Sequence, residues 1–214
     1  MANTNTDAEV LQAKNAVALI AKTYQTYLVG NTALLRLLGM PSNARLNTVI
    51  NFMNDVPFKI AQKNPGLRKD RQGGACLVAG FTAFETGVPV IYLNRALMTP
   101  ATIIHELLHL LTHARFYAKF RTQTNVVEGM TEHFTRVVQG KTSASDKDAF
   151  RQFCKENSPR KGHYTAWTKT INRIDNRKLT TAAGMSHVME KAFFKGDANA
   201  LDAVALALDR PDLF

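Results

Sequence analysis

The sequence predicts an α+β fold, a mostly helical single domain with a small β-hairpin or sheet packed against one buried helix. Helical periodicity dominates the chain, whereas two short runs at 75–81 and 88–93 have the β-branched and aromatic composition of strands. A length of 214 residues suffices for one substantial core. No stretch is long and apolar enough to span a bilayer, so we expect no membrane span.

Helical patterns occupy most of the remaining chain. Apolar residues favour one side of 7–28, and shorter apolar segments follow at 32–38 and 46–53. The segment 63–74 is rich in Pro, Gly and charge, which predicts a loop within one domain. Beyond Gly140, helices are predicted near 145–156, 164–174, 181–194 and 198–208. We therefore expect a single domain over 1–214, made of a helical N-terminal region of open role (1–70), a central core (75–140) and a helical C-terminal subdomain (141–214).

The two strand-like runs predict a hairpin, because the segment 85–87 between them is turn-like. Pro89 cannot donate a hydrogen bond to a neighbouring strand, so it favours the start of the second strand or an edge position. An edge strand here would pair with an extended peptide. The alternative is a hairpin that only covers the core.

The segment after the hairpin predicts a buried helix. Thr99-Pro100 is a start signal, a capping hydroxyl followed by proline at the first helical position. Isoleucines and leucines then cover almost the whole circumference, which is typical of a buried helix. Burying His105, Glu106 and His109 there is costly unless a partner satisfies them, and a divalent cation would do so.

Residues 105–109 form an HExxH motif. His105 and His109 are four apart, so they share one face of a helix and can bind one metal ion. Glu106 lies beside the metal, where a carboxylate can take a proton from metal-bound water. The alternative is an ordinary buried helix with two histidines. Burial of these polar side chains favours a metal site over this alternative, and zinc (Zn2+) is the expected cofactor.

A zinc site of this kind needs a third protein ligand. His113 continues the four-residue spacing, but it lies roughly 12 Å beyond His105 along the axis. We expect His113 near the C-terminal end of the helix, where positive charge suits the helix dipole. The metzincin pattern fails, because Thr112 and Arg115 occupy its glycine and histidine positions.

Glu128 is the remaining candidate for the third ligand. It belongs to a predicted helix over 125–136 that ends at Gly140, and Glu132 follows one turn later on the same face. One carboxylate can therefore bind the metal while the other orients a ligand. His133 is the alternative if Glu128 does not bind.

The HExxH motif and the acid pair after it resemble the gluzincin zinc metallopeptidases, the thermolysin and aminopeptidase type. The resemblance implies zinc ligands at His105, His109 and Glu128, a general base at Glu106, and an acid at Glu132 that orients a ligand histidine.

The specific resemblance covers about residues 88–140, and two segments resemble a narrower group of proteins. Residues 128–136 look like the EGxTE segment of small peptidase-like domains in bacterial toxins and secreted effectors, and 192–197 are similar to a segment near the end of such domains. One position departs from the family. Val127 stands where many gluzincins have Asn, so substrate contacts need not transfer.

The resemblance implies a zinc-dependent metallopeptidase that hydrolyses peptide bonds through a zinc-activated water, with Glu106 as general base. Its substrate would be a protein or peptide, and the chain itself would be an exported bacterial toxin or effector. Gluzincins also stabilise the oxyanion with a downstream Tyr or His. Among Tyr164, His163 and His187, Tyr164 is favoured, because it follows a loop at the start of a predicted helix.

Two other functions stay open, a catalytically inactive zinc-binding interaction module and a basic nucleic-acid-associated protease. The intact Glu106 argues against the first. The net charge of +10 is spread over both halves of the chain. Basic clusters at 68–71 and 160–161 lack the interleaved aromatics of a single-strand platform, so nucleic acid is not the favoured partner.

The N-terminal segment 1–7 is polar and lacks the basic-then-apolar pattern of a signal peptide. We expect cytoplasmic synthesis, followed by retention or by export through a delivery or secretion apparatus that needs no cleaved signal. Cys76 and Cys154 are too few for a disulfide framework.

Overall fold

A small mixed sheet and a larger set of helices form the described part of the chain, which confirms the α+β class. The structure, a computed structural model, describes residues 5–31, 37, 49–54, 79–83, 89–141 and 184–209. The strands are β1 (Ile50–Met53), β2 (Gly80–Ala83) and β3 (Val90–Asn94). The helices are α1 (Asp7–Thr23), α2 (Gln25–Leu28), α3 (Pro100–Leu111), α4 (Ala114–Phe120), α5 (Thr124–Val138), α6 (Gly184–Glu190), a π-helix (Lys191–Lys195) and α7 (Ala198–Asp209).

Most helix predictions that can be checked are confirmed. The predicted helix over 7–28 is present as α1 and α2, with a break at the buried Tyr24. Helices α5 and α7 match their predictions, and the helix predicted over 181–194 is present as α6 followed by the π-helix. The predicted helices near 145–156 and 164–174, and the predicted loop at 63–74, lie outside the described residues.

The sheet has the strand order β1-β3-β2. Strands β2 and β3 are antiparallel, which confirms the hairpin, although its turn at 85–87 lies outside the described residues. Strand β1 pairs with β3 in parallel and comes from the apolar segment 46–53, for which the sequence predicts no strand. The edge position for the second hairpin strand is therefore wrong, because β3 is central. Pro89 instead immediately precedes the first residue of β3, where its missing N–H costs no ladder hydrogen bond.

The chain divides into two compact units, which are Met1–Lys22 with Gly30–Leu110, and Thr23–Val29 with Leu111–Phe214. In the first unit, one face of the sheet provides four fully buried side chains, Ile50, Phe52, Ile91 and Leu93. Their alternation with outward residues follows from the two-residue period of a strand. The domain boundaries drawn from the sequence stay a prediction.

The outer edge of β1 is held by a side chain from near the N-terminus. The Asn5 amide nitrogen donates to the Ile50 carbonyl at 2.7 Å, and the Asn5 amide oxygen accepts from the Phe52 N–H at 3.0 Å. Because Asn5 is only 5% exposed, these bonds satisfy backbone groups of β1 that have little access to water. Asn5 thus acts as a one-residue substitute for a further strand.

The second unit is organised around packed aromatic rings. Phe134 of α5 lies 5.0 Å from Phe193 and 5.3 Å from Phe194 between ring centroids. The wider turn of the π-helix places these consecutive phenylalanines, together with Ala192, on the buried side. None of the helices in the described residues is both long and apolar enough to cross a membrane.

Candidate metal centre

Helix α3 begins where the sequence predicts. The Thr99 hydroxyl accepts from the Thr102 N–H at 3.3 Å, and the Thr102 hydroxyl accepts from the Thr99 N–H at 3.1 Å. This reciprocal cap satisfies two N–H groups at the helix start. Pro100 is the first helical residue and has no N–H to satisfy.

The two motif histidines converge as the four-residue spacing predicts. Their Nε2 atoms are 3.1 Å apart, and their rings meet edge-on with centroids 4.8 Å apart. Two nitrogens bound to one tetrahedral zinc ion at 2.0–2.1 Å would be about 3.3 Å apart. His109 is 8% exposed, so its ring is largely shielded from water. Two neutral imidazoles joined by a hydrogen bond would have a similar distance between their nitrogens. A measurement of metal binding distinguishes this hydrogen bond from a shared metal ion.

Glu128 completes a group of possible metal ligands with the two histidines. One ligand atom from each of His105, His109 and Glu128 lies within 4.8 Å of the other two, so the group could bind a metal ion. Imidazole and carboxylate donors suit zinc and several other divalent metals, so the donors alone do not identify the ion.

Glu106 is held against strand β2. Glu106 is 6% exposed, and its Oε2 atom accepts a hydrogen bond from the Thr82 hydroxyl at 2.9 Å. Gly80, two residues earlier on the same face of β2, lies so close that an added Cβ would be 3.1 Å from Glu106 Cγ. The motif therefore predicts the presence of Glu106 in the site, but it does not predict the residues that surround it.

The acid at Glu132 has a defined partner in α5. Its Oε1 atom accepts from Arg136 Nε at 2.8 Å, and the Arg136 side chain is almost fully buried. The four-residue spacing on α5 places Glu132 one helical turn from Glu128. Orientation of a ligand histidine by Glu132 stays a prediction.

Tyr117 is a neighbour of the site that the sequence did not single out. It belongs to α4 and is 41% exposed. Burial, and secondarily the negative charge of Glu128, raise the pKa of the Tyr117 hydroxyl. No motif links a tyrosine in a short connecting helix to a carboxylate in the next one, so only the folded chain associates them.

His113 lies two residues beyond the last residue of α3. Helix α3 ends at Leu111, and His113 caps the start of α4, where its Nδ1 accepts from the Arg115 N–H at 3.1 Å. His113 therefore lies near the end of α3, as expected, and it also caps the next helix. Burial, followed by the charges of Arg115 and Lys195, lowers the pKa of His113 and favours its neutral form. Gly196, at φ +57°, approaches this ring so closely that no side chain fits there.

Of the three candidates for oxyanion stabilisation, only His187 lies within the described residues. Tyr164 and His163 lie outside the described residues. His187 belongs to α6, where a hydrogen bond joins its Nδ1 to the Tyr27 hydroxyl. The assignment of Tyr164 therefore stays a prediction.

His133, the alternative third ligand, is a fully buried imidazole in α5. Burial, assisted by the charge of Arg136 and opposed by that of Glu132, lowers its pKa to about 4 from the ordinary 6.5. Between those two pH values the unfolded chain binds a proton that the folded chain does not. We therefore expect the free energy of unfolding to fall by about 3 kcal/mol as the pH drops through this range, with the full contribution present above 6.5.

Denaturant unfolding at a series of pH values checks this expectation. His133→Gln removes the titrating ring and should flatten the acid-side slope relative to the wild type. Parallel pH profiles for the two proteins would contradict a buried, neutral His133.

Comparisons with family models, with curated proteins and with solved structures found no match to this chain. The assignment of the site therefore rests on the chain's own residues.

Proposed function

We propose that this chain is a zinc-dependent metallopeptidase that hydrolyses peptide bonds. The observation that carries the proposal is the group of His105, His109 and Glu128, with Glu106 beside the first histidine in the same helix. Two imidazoles and one carboxylate form a known ligand set of catalytic zinc sites, which keep a fourth position for water or substrate. Bound zinc would act as a Lewis acid that polarises the scissile carbonyl and lowers the pKa of water.

Metal binding and proton transfer are carried out by different side chains in this proposal. His105, His109 and Glu128 would hold the ion through two imidazole nitrogens and a carboxylate. Glu106 accepts a proton from the attacking water and passes it to the leaving amide nitrogen, so that one carboxylate serves first as base and then as acid. Glu106 as a residue is 6% exposed, so it has little contact with bulk water that would compete for this proton.

The finer assignments belong to the same proposal. Glu132 orients a ligand histidine, and Tyr164 stabilises the oxyanion that develops on the scissile carbonyl. The resemblance of 128–136 to toxin and effector peptidase domains supports a protein or peptide substrate outside the producing cell.

Metal content and cleavage, measured on one preparation, test the proposal. Protein purified without chelator should contain one zinc ion per chain and should cleave members of a peptide library. Removal of the metal with 1,10-phenanthroline should abolish cleavage, and added zinc should restore it. Stoichiometric zinc without cleavage would favour the inactive interaction module, whereas the absence of any bound metal would refute the metal centre. DNA binding that weakens steeply with salt would favour the nucleic-acid-associated alternative.

A further inference from the structure

Strand β2 presents two small residues to the Glu106 side chain. Gly80 and Thr82 are two apart, so they lie on the same face of the strand, while Phe81 points to the opposite face and stacks on Tyr92. The Thr82 hydroxyl is 2.9 Å from Glu106 Oε2. The contact joins residues 24 positions apart in sequence, so it depends on how β2 and α3 pack.

The Thr82 hydroxyl has two acceptors within reach and one proton to donate. The Glu106 backbone carbonyl oxygen is 3.1 Å away, and the carboxylate oxygen is nearer at 2.9 Å. An ionised carboxylate is the stronger acceptor, because hydrogen bonds to charged groups are about twice as strong as neutral ones. The proton therefore goes mainly to Oε2.

Close packing at Gly80 fixes the distance between strand and helix at this point. A Cβ at Gly80 would be 2.9 Å from Thr102 Cγ2, 2.9 Å from Leu93 Cδ2 and 3.1 Å from Glu106 Cγ. The backbone of β2 can approach α3 this closely only because residue 80 has no side chain. The same approach brings the Thr82 hydroxyl within hydrogen-bond distance of the carboxylate.

We propose that Thr82 is a positioning residue for Glu106, which fixes the plane of the carboxylate that transfers the proton. This inference rests on the proposed function for its catalytic consequence. Rotation of the carboxylate would break the bond to Oε2, and the low exposure of Glu106 leaves few water molecules to replace it. Thr82 is well suited to this role, because a β-branched side chain in a strand has restricted rotamers.

Two substitutions separate the hydroxyl from the shape of the side chain. Thr82→Val keeps the branched shape and removes the donor, whereas Thr82→Ser keeps the donor. In metal-loaded protein we expect Thr82→Val to lower kcat by about 10- to 100-fold, the usual cost of losing a residue that supports a metal-site group, while bound zinc and KM stay as in the wild type. Thr82→Ser should retain most of the kcat.

A second readout does not depend on activity. The Glu106 side-chain carboxyl carbon can be observed by NMR in protein labelled with carbon-13 glutamate, and its signal is assigned by its disappearance in Glu106→Gln. We expect the signal to move in Thr82→Val and to stay in place in Thr82→Ser. If Thr82→Val does not fold, Thr82→Ala takes its place in both measurements.

The two readouts distinguish the inference from the proposed function. An unmoved Glu106 signal in Thr82→Val would overturn the positioning role, and so would an unchanged kcat in an active enzyme. If the wild type cleaves no peptide, the proposed function fails, and the NMR comparison still decides whether Thr82 holds Glu106. Loss of zinc in Thr82→Val would also overturn the inference, because it would show a general structural effect.

Discussion

Glu106→Gln is expected to abolish peptide cleavage while the bound zinc stays stoichiometric. Glutamine has nearly the same shape and can still accept the hydrogen bond from Thr82 through its amide oxygen. It cannot take up the proton of the attacking water, so kcat should fall by at least about 10²- to 10⁴-fold, the usual contribution of a general base. Single-turnover cleavage of a fluorogenic peptide, with zinc measured by elemental analysis on the same sample, checks both parts.

The choice of control decides how the Glu106 result is interpreted. Asp202→Asn is a matched control, because it also replaces one carboxylate by its amide, at an exposed site of α7 that pairs with Lys119. It should leave cleavage unchanged. Retained cleavage in Glu106→Gln would exclude Glu106 as the base, whereas loss of cleavage together with loss of zinc would indicate that the carboxylate only stabilises the site.

The parts of the site that depend on one helix could be predicted from the sequence. The four-residue spacing places His105 and His109 on one face whatever surrounds them, and their Nε2 atoms are 3.1 Å apart. The start of α3 at Thr99-Pro100 is also local, because a cap involves only the first turn. Glu128 lies in a different segment from the two histidines. It could be predicted as the third ligand because the two segments together resemble a known motif.

Contacts between distant segments could not be predicted. Thr82 carries no motif, since a threonine in a short strand is ordinary, and its role is defined only by the packing of β2 on α3. Asn5 reaches β1 across 45 positions for the same reason. The capping role of His113 is a third example, because it depends on where α3 ends and α4 begins.

The sheet shows a further limit of pattern reading. Strand β1 spans four residues, which is too short for the alternation of buried and half-buried positions to stand out in the sequence. Its parallel pairing makes β3 central, a position that the sequence could not distinguish from an edge. The helix predicted over 181–194 likewise did not reveal the π-helix at Lys191–Lys195, because both forms place apolar residues on one side.

Glu128→Gln is expected to remove the third metal ligand and to weaken zinc binding. A neutral amide oxygen donates less to a cation than a carboxylate does, and it leaves the charge of the ion uncompensated in a half-buried place. Mutation of a residue that only supports a metal ligand usually lowers metal affinity by about 10- to 100-fold. Loss of a ligand itself should therefore lower the affinity by at least about 100-fold. Competition titration against a chromophoric chelator measures the change.

Asp202→Asn again provides the matched control, because it removes one carboxylate charge from the same unit without touching the ligand group. Its zinc affinity should equal that of the wild type. Equal affinity in Glu128→Gln would instead remove Glu128 from the ligand set and make His133, whose pKa of about 4 keeps its imidazole neutral at pH 7, the next residue to replace. A neutral imidazole is the form that binds zinc, so the same titration on His133→Gln would then test whether His133 is the third ligand.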